Sequence, residues 1–283
     1  MEISLSLTTK CNAQCAYCER NKEWIPDGLQ MSLDVVRKLP KCDKVSFTTA
    51  AGDAIFHDEL FKVIEILRLK NPNVHIRFST NGSIGSTDWW EQLATILGKQ
   101  SLVGFCIDSL DRICPYRKLL VPQQMKRMLW YKKINDNMYW QFIKFDWNKD
   151  QIKRAKNLAR IFEIDLIVKQ NRISIKRPEV KRCRCLDDNW YYIGADYKLH
   201  PCCYFAVYLA FDHRRHRHDN NLNKEIYQAF LKSLDLIDLT KNDFETAINS
   251  PYFEAVAKYN RRVNLCQKCL PKNYILDSTM TLC

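Results

Sequence analysis

No run of about 18 apolar residues occurs in this 283-residue chain, so no membrane-spanning helix is expected. An export signal is missing too: Met1 leads straight into Glu2-Ile3-Ser4-Leu5-Ser6-Leu7, which alternates like a strand. The chain has no internal repeat, which excludes a solenoid or propeller. It has no Walker-type phosphate loop, which removes that nucleotide-binding signature, and no low-complexity tract. Acidic residues are the scarcer sign, 32 against 44 Lys and Arg, for a net charge of +12. An anionic partner such as nucleic acid or an acidic peptide fits that balance, and so does a plain solvated basic surface.

What is abundant is cysteine, thirteen in all. Without an export signal these point to metal binding in a reducing, cytoplasmic setting and not to disulfides. At 46% hydrophobic and 12% aromatic the chain can build a proper core, as one large domain or as a main domain with an appendage.

Three of the cysteines, Cys11, Cys15 and Cys18, fall within one short loop, at spacings of four and three. Three thiolates so close can converge on one metal centre. Iron–sulfur clusters normally take four thiolates, so a local set of three leaves one iron open to a ligand. A zinc site is the rival, and it needs a fourth protein ligand close by.

Residues 2–8, 45–48, 74–79, 102–108, 138–145 and 164–168 read as strands. They alternate with helical patterns over 31–39, 58–70, from Asp88 on, within 122–134, and over 150–162. This alternation predicts an α/β fold with a parallel sheet, whose loops after the strand C-termini carry function.

The triplet, with Tyr17 just before its last cysteine, resembles the C-x3-C-x2-C signature of the radical S-adenosylmethionine (SAM) superfamily. The resemblance implies a partial (β/α)6 barrel over 1–170, with a 4Fe–4S cluster on Cys11, Cys15 and Cys18. The open iron would bind the amino and carboxylate groups of SAM. One electron from the cluster would then cleave SAM to a 5′-deoxyadenosyl radical that abstracts a substrate hydrogen. Tyr17 would lie near the adenine. Gly52 and Asp53 stand where the family has its Gly-Gly-Glu motif, with Ala51 as the departure. Ser79 and Asn81 would meet the SAM carboxylate or ribose, and Asp108 the ribose. Plain turns at Gly52-Asp53 and Asn81-Gly82, and a cap at Asp108, are the bland readings of the same residues. Arg117 could fork onto a carboxylate or lie on the surface.

Residues 171–283 resemble the small cysteine-rich α+β extensions called SPASM and twitch. Cys185, Cys202, Cys266 and Cys269 would hold one auxiliary 4Fe–4S cluster, with Cys183 as a substitute for Cys185. Zinc on the same four is the rival. The family glycine four residues before Pro201 is Tyr197 here. Cys42, Cys106 and Cys114 are expected to fill core space.

The resemblance implies an enzyme that draws electrons from a donor such as flavodoxin or ferredoxin and modifies a peptide, a protein or a small molecule. The chain opens at the first strand, an expectation against a substrate with a leader peptide. The basic balance and the run His213-Arg214-Arg215-His216-Arg217-His218 keep a nucleic-acid or nucleotide substrate as the alternative. The reading from another class is a non-catalytic zinc protein that binds nucleic acid.

Overall fold

A computed structural model describes residues 1–16, 18, 20, 25–47, 52–170, 189–209 and 224–259. Six parallel strands alternate with five helices in its first part. They are β1 (Glu2–Leu5), α1 (Leu33–Lys38), β2 (Lys44–Phe47), α2 (Leu60–Lys70), β3 (His75–Thr80), α3 (Thr87–Leu97), β4 (Leu102–Cys106), α4 (Val121–Ile134), β5 (Met138–Lys144), α5 (Ile152–Ile161) and β6 (Asp165–Gln170). The order is the one the hydrophobic patterns predict, with ends shifted by a few residues. The largest difference is β1, which stops at Leu5 because the chain then turns: Met31 N–H donates to Leu7 O and Thr9 N–H to Leu29 O.

Two more strands follow. Trp190–Ile193 (β7) pairs parallel with β1, Glu2 opposite Trp190 and Leu5 opposite Ile193. Leu199–His200 (β8) folds back antiparallel on β7. The result is one mostly parallel eight-stranded sheet in the order β6-β5-β4-β3-β2-β1-β7-β8. The stretch 190–196, which the sequence reading assigns to the second unit, thus continues the first unit's sheet. Beyond it lie helices α6 (Cys203–Leu209), α7 (Lys224–Lys232), α8 (Phe244–Ile248) and α9 (Pro251–Tyr259).

Side chains alternate between the two faces of a strand, and here the faces differ in kind. Ile3, Val45, Ile76, Val103, Phe105, Trp140 and Phe142 join the main core together with helix residues such as Val63, Ile64, Leu93 and Met128. The other face carries Ser4, Ser46, Arg77, Ser79, Cys106, Tyr139 and Gln141, and a cavity of about 240 Å³ lies against it. No helix of the described residues is long and apolar enough to cross a membrane.

Candidate active site

The loops that follow β1, β2 and β3 meet at one end of this cavity. Such crevices beyond the carboxyl ends of parallel strands are where α/β folds place ligands. The loop after β1 holds the cysteine triplet. Its entry is tied down by Thr8 Oγ1–H to Leu29 O at 2.8 Å and Leu29 N–H to Thr9 Oγ1 at 2.9 Å. Its middle is tied to the loop after β4, by Gln14 N–H to Arg117 O at 3.0 Å. Cys11, Cys15 and Cys18 all line the cavity.

Two of the three sulfurs have N–H donors. Cys11 Sγ accepts from Ala13 N–H and from Asn81 Nδ2, each at 3.4 Å. Arg117 Nη1 lies 3.7 Å from Cys15 Sγ. Burial first, then the nearby Asp53 carboxylate, pushes the Cys11 thiol up to about 12. Burial also raises Cys15, with Arg117 pulling the other way. Thiols so placed become thiolates when metal cations supply the missing positive charge. The donor set therefore fits a thiolate-bound group, with N–H donors to the sulfurs of the kind that tune iron–sulfur clusters. Among the described residues no three His, Cys, Asp or Glu stand close enough together to hold a single metal ion.

Gly52 sits where the loop after β2 crosses the cysteine loop. A Cβ there would lie 2.1 Å from Thr8 O and 3.0 Å from Lys10 O, so glycine is required by backbone contact. The next residue completes the crossing, with Asp53 N–H donating to Lys10 O at 3.0 Å. The Asp53 carboxylate is buried and accepts from Asn81 N–H at 2.7 Å, Thr80 Oγ1 at 3.1 Å and Ile55 N–H at 3.3 Å. Burial raises its pKa to about 6 against the pull of these donors. Asp53 thus locks the loop after β3 in place while one edge remains on the cavity wall.

Asn81 and Ser79 line the same cavity. Asn81 turns its amide toward Cys11 Sγ and Asn12 Oδ1. Ser79 Oγ lies 3.3 Å from Tyr139 Oη. Asp108 is placed otherwise. It is fully buried, and its two oxygens are engaged by Arg117 Nε at 2.6 Å and Ile143 N–H at 2.8 Å. Burial works against the Arg117 charge, but the Asp108 carboxylate and the neighbouring cysteines together overcome it, so the guanidinium is held protonated. Arg117 is therefore a cavity-wall residue and not a surface one.

Tyr17, Cys183, Cys185, Cys266 and Cys269 lie outside the described residues. Cys202 is buried in the main core just after β8, and Cys203 packs against Tyr192 and Ala206. Tyr197 has φ +66°, the left-handed conformation that accounts for a glycine at this place. Its Oη donates to Gln30 O at 3.0 Å. Cys42 and Cys114 belong to the main core as expected. Cys106 does not: it lines the cavity, and Gln141 Nε2 lies 3.3 Å from its Sγ.

Sequence reasoning missed Arg77, Tyr139, Gln141 and Trp190, which also form the wall. One signal was present. Gly104 interrupts an apolar strand, and a Cβ there would lie 2.4 Å from Tyr139 Cζ. The glycine lets the Tyr139 ring lie across β4 to reach Ser79.

No family model matches the sequence, and no curated protein is similar enough in sequence to count as a relative. Solved structures do match. Native anSMEcpe with bound AdoMet (S-adenosylmethionine) superposes with a TM-score of 0.58 at 12% identity, over 93% of this chain and 88% of that one. SuiB of Streptococcus suis bound to S-adenosylmethionine gives 0.58 at 12%, over 95% and 71%. BtrN in complex with AdoMet and 2-DOIA gives 0.53 at 12%, over 99% and 96%. The chain has their fold. At this identity the likeness is one of architecture.

Proposed function

We propose that this protein is a radical SAM enzyme. The observation that carries the proposal is the cysteine triplet itself. Three thiols on the loop after β1 border one cavity with Asp53, Ser79 and Asn81, and N–H donors reach two of the sulfurs. The fold shared with AdoMet-bound proteins supports it.

In this reading Cys11, Cys15 and Cys18 hold a 4Fe–4S cluster, and Asn81, Ser79, Gly52 and Asp53 border the SAM seat, with Tyr17 beside them. The cluster, once bound there, would supply one-electron reduction of SAM as the source of radical chemistry. The chain's own work is positional. Asn81 and Arg117 place N–H groups on two sulfurs, Asp53 fixes the loop that carries Asn81, and Asp108 orients Arg117. Asp108 acts through that pair, with one oxygen engaged by Arg117 Nε and the other by Ile143 N–H.

The second unit, residues 171–283, would hold an auxiliary cluster on Cys185, Cys202, Cys266 and Cys269. An electron donor of the flavodoxin or ferredoxin type would feed the protein in the cytoplasm. For substrate we favour a peptide or a small molecule. One neighbour was solved with AdoMet and the Cp18Cys peptide, another bound to its precursor peptide SuiA, and BtrN with 2-DOIA.

The test is replacement of Cys11, Cys15 and Cys18 by Ala. Reductive formation of 5′-deoxyadenosine should stop, while the iron of one auxiliary cluster stays bound. Undiminished 5′-deoxyadenosine formation in that variant overturns the radical SAM reading.

A further inference from the structure

Arg20 stands two residues after the last cysteine of the triplet, and its side chain turns back over the cysteine loop. Its Nη2 donates to Ala13 O at 2.9 Å. Ala13 lines the cavity, and its own N–H donates to Cys11 Sγ. The peptide unit between Ala13 and Gln14 is therefore held from both sides. Arg20 takes its carbonyl, and its N–H goes to Arg117 O. Cys18 N–H closes the rest of the loop onto Cys15 O at 3.1 Å. Two arginines thus brace the three cysteines, one on each side of this peptide.

The two differ in how their charge is balanced. Arg117 lies 2.6 Å from the fully buried Asp108, so that pair is close to neutral as seen from the cysteines. The ion-pair partner of Arg20 among the described residues is Asp27, at 3.9 Å and with its side chain mostly in water. Solvent and salt weaken such a pair. The Arg20 side chain is itself only 17% exposed, and its Nε is buried and makes no hydrogen bond among the described residues. An arginine keeps its proton. Its charge reaches Cys11, where it favours the thiolate against burial and against the Asp53 carboxylate. Arg20 is thus a shielded, weakly balanced positive charge beside the triplet.

We propose that Arg20 is a positioning residue whose positive charge favours the reduced form of a cluster held by Cys11, Cys15 and Cys18, and so eases its reduction by the electron donor. A 4Fe–4S core with three thiolates is negative overall, and one added electron makes it more so. Net charge and exposure set the potential of such clusters, and a fixed cation shielded from water acts on them strongly. This rests on the radical SAM reading for the presence of the cluster, but the effect of Arg20 is read separately from SAM cleavage.

The experiment is a potentiometric titration of the anaerobically reconstituted full chain, followed by electron paramagnetic resonance. The signal to follow is the one missing from the Cys11, Cys15 and Cys18 to Ala variant. At a fixed potential, Arg20→Gln should lower the ratio of reduced to oxidised cluster about tenfold, which is about 59 mV for a one-electron couple. Arg20→Lys keeps the charge and should stay within about threefold of the unaltered protein. A purely structural role would change iron content and leave the potential of the loaded fraction where it was. A loaded Arg20→Gln protein with unchanged potential therefore overturns the proposal. So does an Arg20→Lys protein lowered as far as Arg20→Gln, because charge is then not the agent. Should Arg20→Gln take up no cluster, Arg20→Lys decides: loaded and within threefold upholds the proposal, and empty overturns it. Absence of any cluster signal from the triplet in the unaltered protein counts against the proposed function. A signal whose potential ignores Arg20 sinks only this inference.

Discussion

Asp108 is fully buried beside the Arg117 guanidinium, which is itself only slightly exposed. Removing one partner of such a pair leaves the other charge without compensation. Asp108→Ala should therefore cost about 3 to 5 kcal/mol of stability, read as a shift of the urea unfolding midpoint. The double variant Asp108→Ala/Arg117→Met should lose less than Asp108→Ala alone, since no charge is then stranded. A double variant as unstable as the sum of its parts would show that the pair is not coupled. His57 makes a different kind of prediction. Its Nδ1 accepts from Glu59 N–H and its Nε2 lies 2.8 Å from Met31 O. An acceptor nitrogen cannot carry a proton, so the ring is neutral, and burial lowers its pKa below 6.5. As pH falls below 6.5 the unfolded ring gains a proton while the folded ring resists. The unfolded state then binds more protons, and stability drops with pH. His57→Gln should flatten this part of the acid limb in denaturant titrations between pH 7 and 5.

At the scale of elements, the crossing of the loops after β1 and β2 is the contact most sensitive to a single atom. Gly52→Ala puts a methyl 2.1 Å from Thr8 O. The obstacle is backbone, so the loops must part, at a cost of about 1 to 3 kcal/mol. The Asp53 N–H to Lys10 O bond should break with them. Thermal unfolding should show the loss, and iron content after reconstitution should fall because the cysteine loop is displaced. The strands and helices were legible because their signals are local. Val103 and Phe105 alternate with Gly104 and Cys106, and that same alternation placed Cys106 on the cavity face, where only a fixed register for β4 could have read it. The pairing of Arg117 with Asp108 was not legible. The two are nine residues apart across an irregular loop, and no periodicity links them. Nor was the pairing of β7 with β1, which joins residues some 190 positions apart and depends on the rest of the sheet.

At the scale of the whole molecule, that pairing makes the sheet one object. β1 has β2 on one side and β7 on the other, and Trp190 fastens its ring to Ser4 across the join. A protein of residues 1–170 alone would leave β1 as an open edge with unpaired backbone groups, a template for wrong pairing. It should self-associate or precipitate, as size-exclusion chromatography would show, where the full chain stays dispersed. A monodisperse, stable 1–170 fragment would mean that β7 adds little.

The same arrangement bears on how the chain is made. Synthesis runs from N- to C-terminus, so one flank of β1 emerges long before the segment that will cover it. With β7 at Trp190–Ile193 and translation at about 5 to 20 residues per second, the wait is on the order of 10 to 40 s. For that interval the nascent protein carries a half-finished sheet whose first strand is its exposed seam. A chaperone that shields extended apolar segments would find its best target there. A pause in translation before residue 190 would lengthen the exposure.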